Sequence, residues 1–285
     1  MKRLVVIVAG MMLGAFGTRL EADDAVSVTS FNIRYNNPAD GPNAWPHRQD
    51  WVAEIIRKNA DVVGLQEVRK DQLDDLKERL PDYEFYGVGR DDGKEAGEFV
   101  PLAWKKDRFT ATEKGEFWLS ETPGEPSKGW DAQLPRVTTW VRLKDDTTGK
   151  TLLAVNTHFD HRGNPARRES GTLIQKWIAA HAKGDAVVLT GDFNTLPDSP
   201  PYRNLTAEAN GITLRDARLA VDDPQGPDST WNGFKEIAPG RRIDFVFTTG
   251  PATVTAFRTL DETREGRFPS DHLPIVATVK LGATK

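Results

Sequence analysis

The chain has 285 residues, no cysteine and a formal net charge of −4 at neutral pH. The lack of cysteine excludes disulfides, thiolate metal sites and cysteine nucleophiles. A protein that binds polyanions non-specifically over a wide surface is usually basic, so the acidic balance argues against that mode but stays compatible with a small phosphate-bearing substrate.

The first 22 residues have the layout of a secretory signal peptide. Lys2 and Arg3 precede an apolar run from residue 4 to residue 17, and polar residues with the small Ala22 follow. The run is shorter than the about 20 apolar residues of a membrane span, and no other stretch approaches that length. We therefore expect an exported chain, secreted or periplasmic, with its mature start near Asp23. A retained N-terminal membrane anchor is the alternative.

Residues 23–285 predict one α/β domain, because layered α/β folds reach this size as single units. Short apolar runs that end in polar residues predict buried strands, and apolar residues at helical spacing predict helices near residues 48–60, 70–80 and 164–184. The segment between residues 83 and 143 has turn-separated apolar runs that predict antiparallel hairpins. The buried strands are predicted at residues 26–33, 61–67, 151–156 and 187–192.

Polar residues adjoin the ends of six predicted strands. Four of them close the carboxyl ends of strands, and the others open the amino ends of two more. The four are Asn32, Glu67, His158 and Asp192, and the others are Asp244 and the pair Asp271-His272. If the last two strands run antiparallel to the first four, all six positions share one edge. Unrelated strand terminators would require the same chance event six times, so the joint pattern favours one shared site.

These residue types predict a hard oxygen-ligand site, which suits Mg²⁺ or Mn²⁺ better than zinc. Mg²⁺ usually takes one or two carboxylates and keeps several waters, which leaves room for a phosphate oxygen. Histidines beside the acids can hydrogen-bond or protonate phosphoryl oxygens, and an aspartate can orient a water for in-line attack. The sequence therefore predicts metal-assisted phosphoester hydrolysis.

Six short motifs resemble the successive motifs of the endonuclease/exonuclease/phosphatase superfamily, which has the DNase I-like fold. They occur in the family's order between about Val26 and Val279, and their combination is specific although each is weak alone. The motifs are Ser30-Phe31-Asn32-Ile33-Arg34, Leu65-Gln66-Glu67-Val68, Asn156-Thr157-His158, Gly191-Asp192-Phe193-Asn194, Ile243-Asp244-Phe245 and Ser270-Asp271-His272-Leu273-Pro274.

The resemblance implies a four-layered α/β (α+β) sandwich, in which two mixed, mostly antiparallel sheets pack face to face with helices outside. It also implies a Mg²⁺ or Mn²⁺ cofactor at a site where the motif loops meet. Glu67 would be the principal metal ligand, with Asn32 and Asp271 close to the ion.

The same resemblance implies roles for the remaining motif residues. Asp192 and Asn194 would bind or orient the nucleophilic water and the phosphate, and His158 would stabilise charged phosphoryl oxygens. Asp244 would support the site. His272, paired with an acid, would act as the general base or as a phosphate-binding acid.

Other residues are weaker candidates for the substrate site. Arg90 follows one predicted strand and Arg136 precedes another, and solvated arginines are the simpler interpretation of both. Arg34, Asp160 and His161 complete the candidates for phosphate contact. Most of the eight tryptophans are best explained as core residues, but four in or near loop-like segments could wall a pocket. These four are Trp45, Trp118, Trp130 and Trp231.

The resemblance leaves the substrate open, because members cleave DNA, RNA, phosphoinositides, sphingomyelin and sugar phosphates. The sequence has no segment of basic and aromatic residues of the kind that binds along a nucleic-acid backbone. A small, sugar or lipid phosphoester is therefore the favoured substrate, and a secreted endonuclease or exonuclease that cleaves DNA or RNA is the alternative. A non-catalytic glycan- or lipid-binding module and a calcium-stabilised structural protein are the remaining alternatives. We expect a monomer.

Overall fold

The computed structural model describes residues 24–282, which contain twelve strands and four α-helices. The predicted signal peptide, residues 1–22, lies outside the described residues and stays a prediction. The strands are β1 (Ala25–Asn32), β2 (Val62–Gln66), β3 (Tyr83–Tyr86), β4 (Leu102–Lys105), β5 (Phe109–Trp118), β6 (Val137–Asp145), β7 (Thr151–His158), β8 (Ala186–Asp192), β9 (Arg215–Asp216), β10 (Asp244–Thr249), β11 (Ala252–Thr259) and β12 (Ile275–Leu281). The α-helices are α1 (Gln49–Asn59), α2 (Lys70–Arg79), α3 (Asn164–His181) and α4 (Pro200–Thr206).

The strands form two six-stranded mixed sheets, with the orders β11-β12-β1-β2-β4-β3 and β5-β6-β7-β8-β10-β9. Each sheet has one parallel pair at its centre, β1 with β2 and β7 with β8, and its other pairs are antiparallel. Because β12 runs antiparallel to β1 and β10 runs antiparallel to β8, the amino ends of β12 and β10 lie beside the carboxyl ends of their neighbours. The predicted antiparallel orientation of the last two motif strands is confirmed.

Three apolar layers hold the sandwich together. The central layer lies between the sheets and contains side chains such as Trp104, Leu143 and Val246. One outer layer packs α1 and α2 on the first sheet through residues such as Ile56, and the other packs α3 and α4 on the second sheet through residues such as Ile178. The apolar side of each helix is thereby removed from water, which is the main stabilising term of such a layered fold. The predicted four-layered sandwich is confirmed.

A buried polar seam crosses between the two sheets near the strand ends. The Asn156 side chain on β7 donates to the backbone oxygen of Leu65 at 2.8 Å, and its Oδ1 accepts from Gln66 Nε2 at 2.7 Å and from Thr190 Oγ1 at 3.0 Å. Buried amides are stable only when they are hydrogen-bonded, so the seam fixes one sheet against the other. Gly64 on β2 leaves the space that this seam needs.

The end of α3 differs from the sequence prediction. The helix begins at Asn164, as predicted, but it ends at His181 rather than near Gly184. His181 is exposed, and its Nδ1 lies 2.7 Å from the backbone oxygen of Trp177. Among the described residues, no helix is both long and apolar enough to cross a membrane.

We predict that Gly64→Ala destabilises the fold. An added Cβ would lie 2.6 Å from Asn156 Oδ1 in a buried polar seam that has no room to yield. Overpacking of this kind costs about 1–3 kcal/mol, which urea denaturation monitored by circular dichroism will measure.

Gly171→Ala in α3 is the matched control, because its nearest neighbour would be Leu205 Cβ at an ordinary 3.6 Å. Replacing a helical glycine by alanine should leave the free energy of unfolding unchanged or raise it by up to about 1 kcal/mol. Equal stabilities of the two variants would contradict the close approach of the sheets at Gly64.

Candidate active site

The strand ends bring the six predicted positions together at one edge of the sandwich, where all but the buried Asn32 and Asp244 line one cleft. Asp192, the last residue of β8, is in register with His158 at the end of β7 and with Asp244 at the start of β10. On the first sheet, Asn32 ends β1 and Glu67 directly follows β2. The Asn32 Nδ2 donates to Glu67 Oε1 and to Asp192 Oδ2, both at 3.0 Å. The Asn32 amide therefore joins the acids of the two sheets.

Three residues at this edge have a left-handed backbone, which is unusual for residues other than glycine. Glu67 has a φ of 59°, Arg34 has 56° and Asn194 has 46°. Each follows the end of a strand by one or two residues, so the chain turns sharply where the strand stops. Such strained conformations cost free energy and cluster at functional sites, where they aim a side chain that an extended strand could not. Here they aim Glu67 and Asn194 into the cleft.

His272 lies between two carboxylates. Its Nδ1 is 2.8 Å from Asp244 Oδ2, and its Nε2 is 3.8 Å from Asp192 Oδ2. Burial alone lowers the pKa of His272, but the negative charges of Asp244 and Asp192 outweigh burial and raise this pKa well above the usual value. At neutral pH the imidazole is therefore a positively charged donor.

His158 has the opposite electrostatic environment. It is 6% exposed, and burial together with the positive charges of Arg136 and Arg90 lowers its pKa well below the usual value. Its Nε2 lies 3.1 Å from Asn194 Nδ2 and 3.4 Å from Asp192 Oδ2. His158 is therefore a neutral imidazole at neutral pH, in contrast to His272.

The carboxylates are crowded enough to repel one another. Burial and the charge of Asp244 raise the pKa of Asp192 to about 7, and Glu67 adds to that effect. Burial also raises the pKa of Asp271, which again lies near Glu67. One oxygen or nitrogen each of Glu67, Asp192 and His272 lie within 4.8 Å of one another. A divalent cation would relieve the repulsion between the carboxylates, so the acids fit a hard metal ion, whereas the protonated His272 has no free lone pair for one.

Asn32 and Arg34 both contact acids of the site, and Arg34 also lines the cleft. The Asn32 Oδ1 accepts from the backbone N–H of Arg34 at 3.0 Å, while its Nδ2 bridges Glu67 and Asp192. The Arg34 guanidinium donates to Asp40 at 3.0 Å and lies 3.8 Å from Asp271. These contacts orient Asp271 and Glu67 relative to each other.

Arg90 and Arg136 are buried at the cleft, so the simpler interpretation of both as solvated arginines was wrong. Arg90 is 8% exposed and donates from Nη1 to Glu98 at 2.7 Å, whereas Arg136 is 4% exposed and its Nε lies 3.5 Å from Asp160. Burial and the charge of Arg90 lower the pKa of Arg136, yet a guanidinium stays charged at neutral pH. Both line the cleft beside His158.

Asp160 is a structural residue and does not line the cleft. One of its oxygens accepts from the backbone of Gln133 at 3.1 Å, and the other accepts from Arg162 at 2.9 Å and Gly163 at 2.8 Å. Burial would raise the pKa of Asp160, but these N–H groups and Arg136 outweigh burial and lower it to about 2. His161 does line the cleft, with Nδ1 3.0 Å from Arg136 Nη2.

The tryptophan prediction holds for one residue of four. Trp231 lines the cleft. Trp45 is 1% exposed, donates to Asp75 at 2.7 Å and packs in the core under α1, and Trp118 is 4% exposed with its Nε1 donating to the Arg90 oxygen at 2.8 Å. Trp130 is half-buried away from the cleft lining.

The cleft has a volume of about 470 Å³, which is in the usual range of small-ligand sites. Ile243, which belongs to one of the six motifs, also lines the cleft. Four other lining residues were missed from the sequence, because they lie outside the motifs. Of these, Arg241 alone had an indication in the sequence, since it is a charged residue two positions before a motif. The missed residues are Tyr35, Glu98, Leu134 and Arg241.

Arg48 was also missed, although it connects several site loops. It is 3% exposed and donates from Nη1 to the backbone oxygens of Ile33 at 2.8 Å and Pro269 at 2.7 Å. Burial lowers its pKa to about 10. The loop after β1 and the loop that carries Asp271 are therefore held together by one buried guanidinium.

A family model described as Endonuclease/Exonuclease/phosphatase family matches residues 29–272. The structure is similar to that of an endonuclease/exonuclease/phosphatase from Bacteroides vulgatus, with 40% identity, a TM-score of 0.86 and coverage of 90% of this chain and 99% of that chain. It is also similar to a mannosyl-6-phosphatase from Bacteroides thetaiotaomicron, with 36% identity, a TM-score of 0.83 and coverage of 90% and 99%.

A more distant curated relative is carbon catabolite repressor protein 4 homolog 3 from Arabidopsis thaliana. It is 25% identical over 215 residues, which cover 70% of this chain and 46% of the relative. The chain thus spans less than half the length of this relative.

We predict that the charged His272 stabilises the metal-free fold in a pH-dependent way. Because its folded pKa lies above the unfolded value of about 6.5, its contribution is fully present below that pH and is lost as pH rises through the folded pKa. The difference in unfolding free energy between the wild type and His272→Gln should therefore fall as pH rises above about 6.5. Urea denaturation of both proteins in EDTA, repeated across this pH range, measures that difference.

His181→Gln at the exposed end of α3 is the matched control, since that ring contacts no carboxylate among the contacts of the described residues. A difference for His272→Gln that stays constant or grows with pH would contradict the assigned ion pair.

Proposed function

The chain belongs to the Endonuclease/Exonuclease/phosphatase family, and we propose that it is a divalent-metal-dependent phosphoesterase that hydrolyses a small phosphorylated sugar. One observation supports the proposal most directly. Three acids, Glu67, Asp192 and Asp271, line a single cleft together with Arg90 and Arg136. The neutral His158 and the protonated His272 line the same cleft. The acids suit a cation, and the arginines suit the phosphoryl oxygens that such a cation would share.

Glu67 and Asp271 would hold the metal ion, with Asn32 keeping Glu67 and Asp192 at a fixed separation. When bound, the ion would polarise the phosphoryl group and offset the charge of the crowded acids. The pKa values of Asp192 and Asp271 are both raised by burial and by neighbouring carboxylates. A cation would offset that repulsion, which supports this assignment.

Asp192 and Asn194 would orient the attacking water. Asp192 would accept the water's hydrogen bond through Oδ2, which faces both histidines. His272 is held protonated by Asp244 and would donate to a phosphoryl oxygen, while the neutral His158 would donate a hydrogen bond to another. Charge that develops on the phosphoryl oxygens would be stabilised by these groups and by Arg90 and Arg136.

The sugar class of substrate rests on two independent supports. A relative at 36% identity over nearly all of its length is a mannosyl-6-phosphatase. The cleft volume of about 470 Å³ suits a small molecule, and the acidic net charge argues against a polyanion held over a wide surface. The predicted signal peptide would place this activity outside the cytoplasm.

We predict that Glu67→Gln lowers kcat/KM for a chromogenic aryl phosphate by about 10³-fold, because a metal ligand is lost. The assay uses the purified chain with Mg²⁺, Mn²⁺ or EDTA, and wild-type turnover should disappear in EDTA. Glu95→Gln, which changes an exposed glutamate outside the cleft, is the matched control and should keep wild-type kinetics. Wild-type turnover by Glu67→Gln would refute the metal assignment.

We predict that His272→Asn lowers kcat by about 10²–10⁴-fold, as expected for the loss of an acid or base in contact with the reacting phosphate. The steady-state assay compares it with His181→Asn, which alters a histidine remote from the cleft lining. If both histidine variants retain wild-type kcat, His272 has no part in proton transfer or phosphate binding.

The substrate class is tested by comparing mannose 6-phosphate with plasmid DNA and RNA under the same metal conditions. We expect phosphate to be released from the sugar and the nucleic acids to stay intact. Metal-dependent cleavage of DNA or RNA without sugar phosphate turnover would make the chain a nuclease. Binding of a glycan without metal-dependent product would favour a non-catalytic module.

A further inference from the structure

A second lobe adjoins the main cleft and is continuous with it. The lobe has a volume of about 350 Å³ and lies between the start of α3 and the segment that leads into α4. Four residues line both spaces, namely His161, Asn194, Arg241 and Ile243. The two spaces therefore lie side by side, so a ligand whose phosphate occupies the main cleft can extend into the second lobe.

The two spaces differ in charge. The main cleft contains four carboxylates, from Glu67, Glu98, Asp192 and Asp271. The walls of the second lobe, within residues 24–282, include no carboxylate, and their ionisable side chains come from three basic residues. These are His161, Arg167 and Arg241. The second lobe is thus a cationic space without the acids that a metal ion requires.

Arg167 is held in the lobe by neutral groups. Its Nη1 donates to the Asp160 backbone oxygen at 2.8 Å, and its Nη2 donates to the Asn164 side-chain oxygen. Its buried Nε has no hydrogen-bond partner among the described residues. A buried guanidinium N–H is costly to leave unpaired, so Arg167 favours a further acceptor at its Nε.

Arg241 supplies a second guanidinium. Its Cζ lies 5.6 Å from the centre of the Trp231 ring, which fixes the side chain by a cation–π contact. In the described part of the chain, no carboxylate lies within ion-pair distance of Arg241 or Arg167. The negative charges of Asp160 and Asp131 do act on Arg167, where they oppose the burial that lowers its pKa. Both guanidinium groups can still pair with a ligand anion.

The opposite wall of the lobe suits the body of a sugar. Leu196 is 39% exposed, one of two large apolar side chains so exposed in residues 24–282, and it lies beside Pro200 and Pro201. The hydroxyls of Thr195 and Ser199 also line the lobe, but they lie 2.6 Å from each other, and that of Ser199 donates to the Leu196 backbone oxygen. The apolar surface of this wall therefore suits the C–H groups of a carbohydrate ring.

We propose that the second lobe binds the leaving-group side of the substrate and selects a sugar phosphate that carries a second anionic group. The inference rests on the proposed function for the first phosphate and adds the class of the leaving group. The second anion is a carboxylate or a second phosphate, and either would pair with Arg167 and Arg241.

The test measures the binding of three probes by calorimetry in EDTA, so that no turnover occurs. Mannose 6-phosphate has one anionic group, mannose 1,6-bisphosphate has a second phosphate, and 6-phosphogluconate has a carboxylate. We expect the probes with two anionic groups to bind about tenfold or more tightly than mannose 6-phosphate. The two doubly anionic probes then distinguish which anion the lobe prefers.

Two variants test whether the lobe causes that preference, and a third is the control. Leu196→Glu places a carboxylate in the lobe at an exposed position, and Leu219→Glu adds the same charge at an exposed leucine outside both spaces. Leu196→Glu and Arg167→Gln should abolish the preference for doubly anionic probes, whereas Leu219→Glu should retain it. The comparison uses the ratio of dissociation constants, so a uniform loss of phosphate affinity does not affect it.

Equal binding of all three probes by the wild type would overturn the proposal. So would a preference that Leu196→Glu and Arg167→Gln both leave intact, because the second anion would then lie elsewhere. Turnover of the same probes with Mg²⁺ is measured in parallel. A binding preference without any hydrolysis would contradict the proposed function and support the lobe assignment, so the two failures are distinguishable.

Discussion

The separation of the two sheets at their shared edge depends on the Asn32 amide. It donates to Glu67 on its own sheet and to Asp192 on the other, each at 3.0 Å. An aspartate at this position would bring a third negative charge, and an alanine would remove one hydrogen bond from each of the two acids. The Asn156 seam fixes the sheets one step deeper in the sandwich, where Gly64 allows the close approach. The rigid sandwich therefore sets the distance between the acids, and the loops need only aim them.

That rigid edge creates two electrostatic environments within one cleft. His272 is charged because Asp244 and Asp192 surround it, whereas His158 is neutral because burial and two arginines disfavour a further positive charge. Groups with opposite protonation states at the same pH are the usual arrangement for moving a proton during catalysis. The second lobe adds a region with positive charge alone, so charge varies along the path that a substrate would occupy. Different parts of the cleft can thus bind the metal ion, the phosphate and the leaving group.

Site residues could be predicted from the sequence where an ionisable side chain lies at the end of a strand. Glu67 and Asp192 were identified because an apolar run ends at or next to each of them, and His272 because an apolar run begins after it. The antiparallel direction of β10 and β12 then brings them together. Arg90 and Arg136 could not be interpreted in this way, because their burial results from packing between segments that are distant in the chain. Trp45 and Trp118 lie in or next to loop-like segments, yet each is covered by tertiary contacts that local composition does not encode. The second lobe could not be predicted from the sequence either, because three segments that are distant in the chain form its walls.

The central claim is that the strand-end acids hold a divalent cation next to a bound phosphate. Crystals grown with Mn²⁺ and inorganic phosphate, measured at the manganese absorption edge, would test it most directly. The account predicts an anomalous peak within coordination distance of Glu67 and Asp271, with a phosphate between that peak and His158. A manganese peak elsewhere, or a phosphate bound with no metal at Glu67, would contradict it.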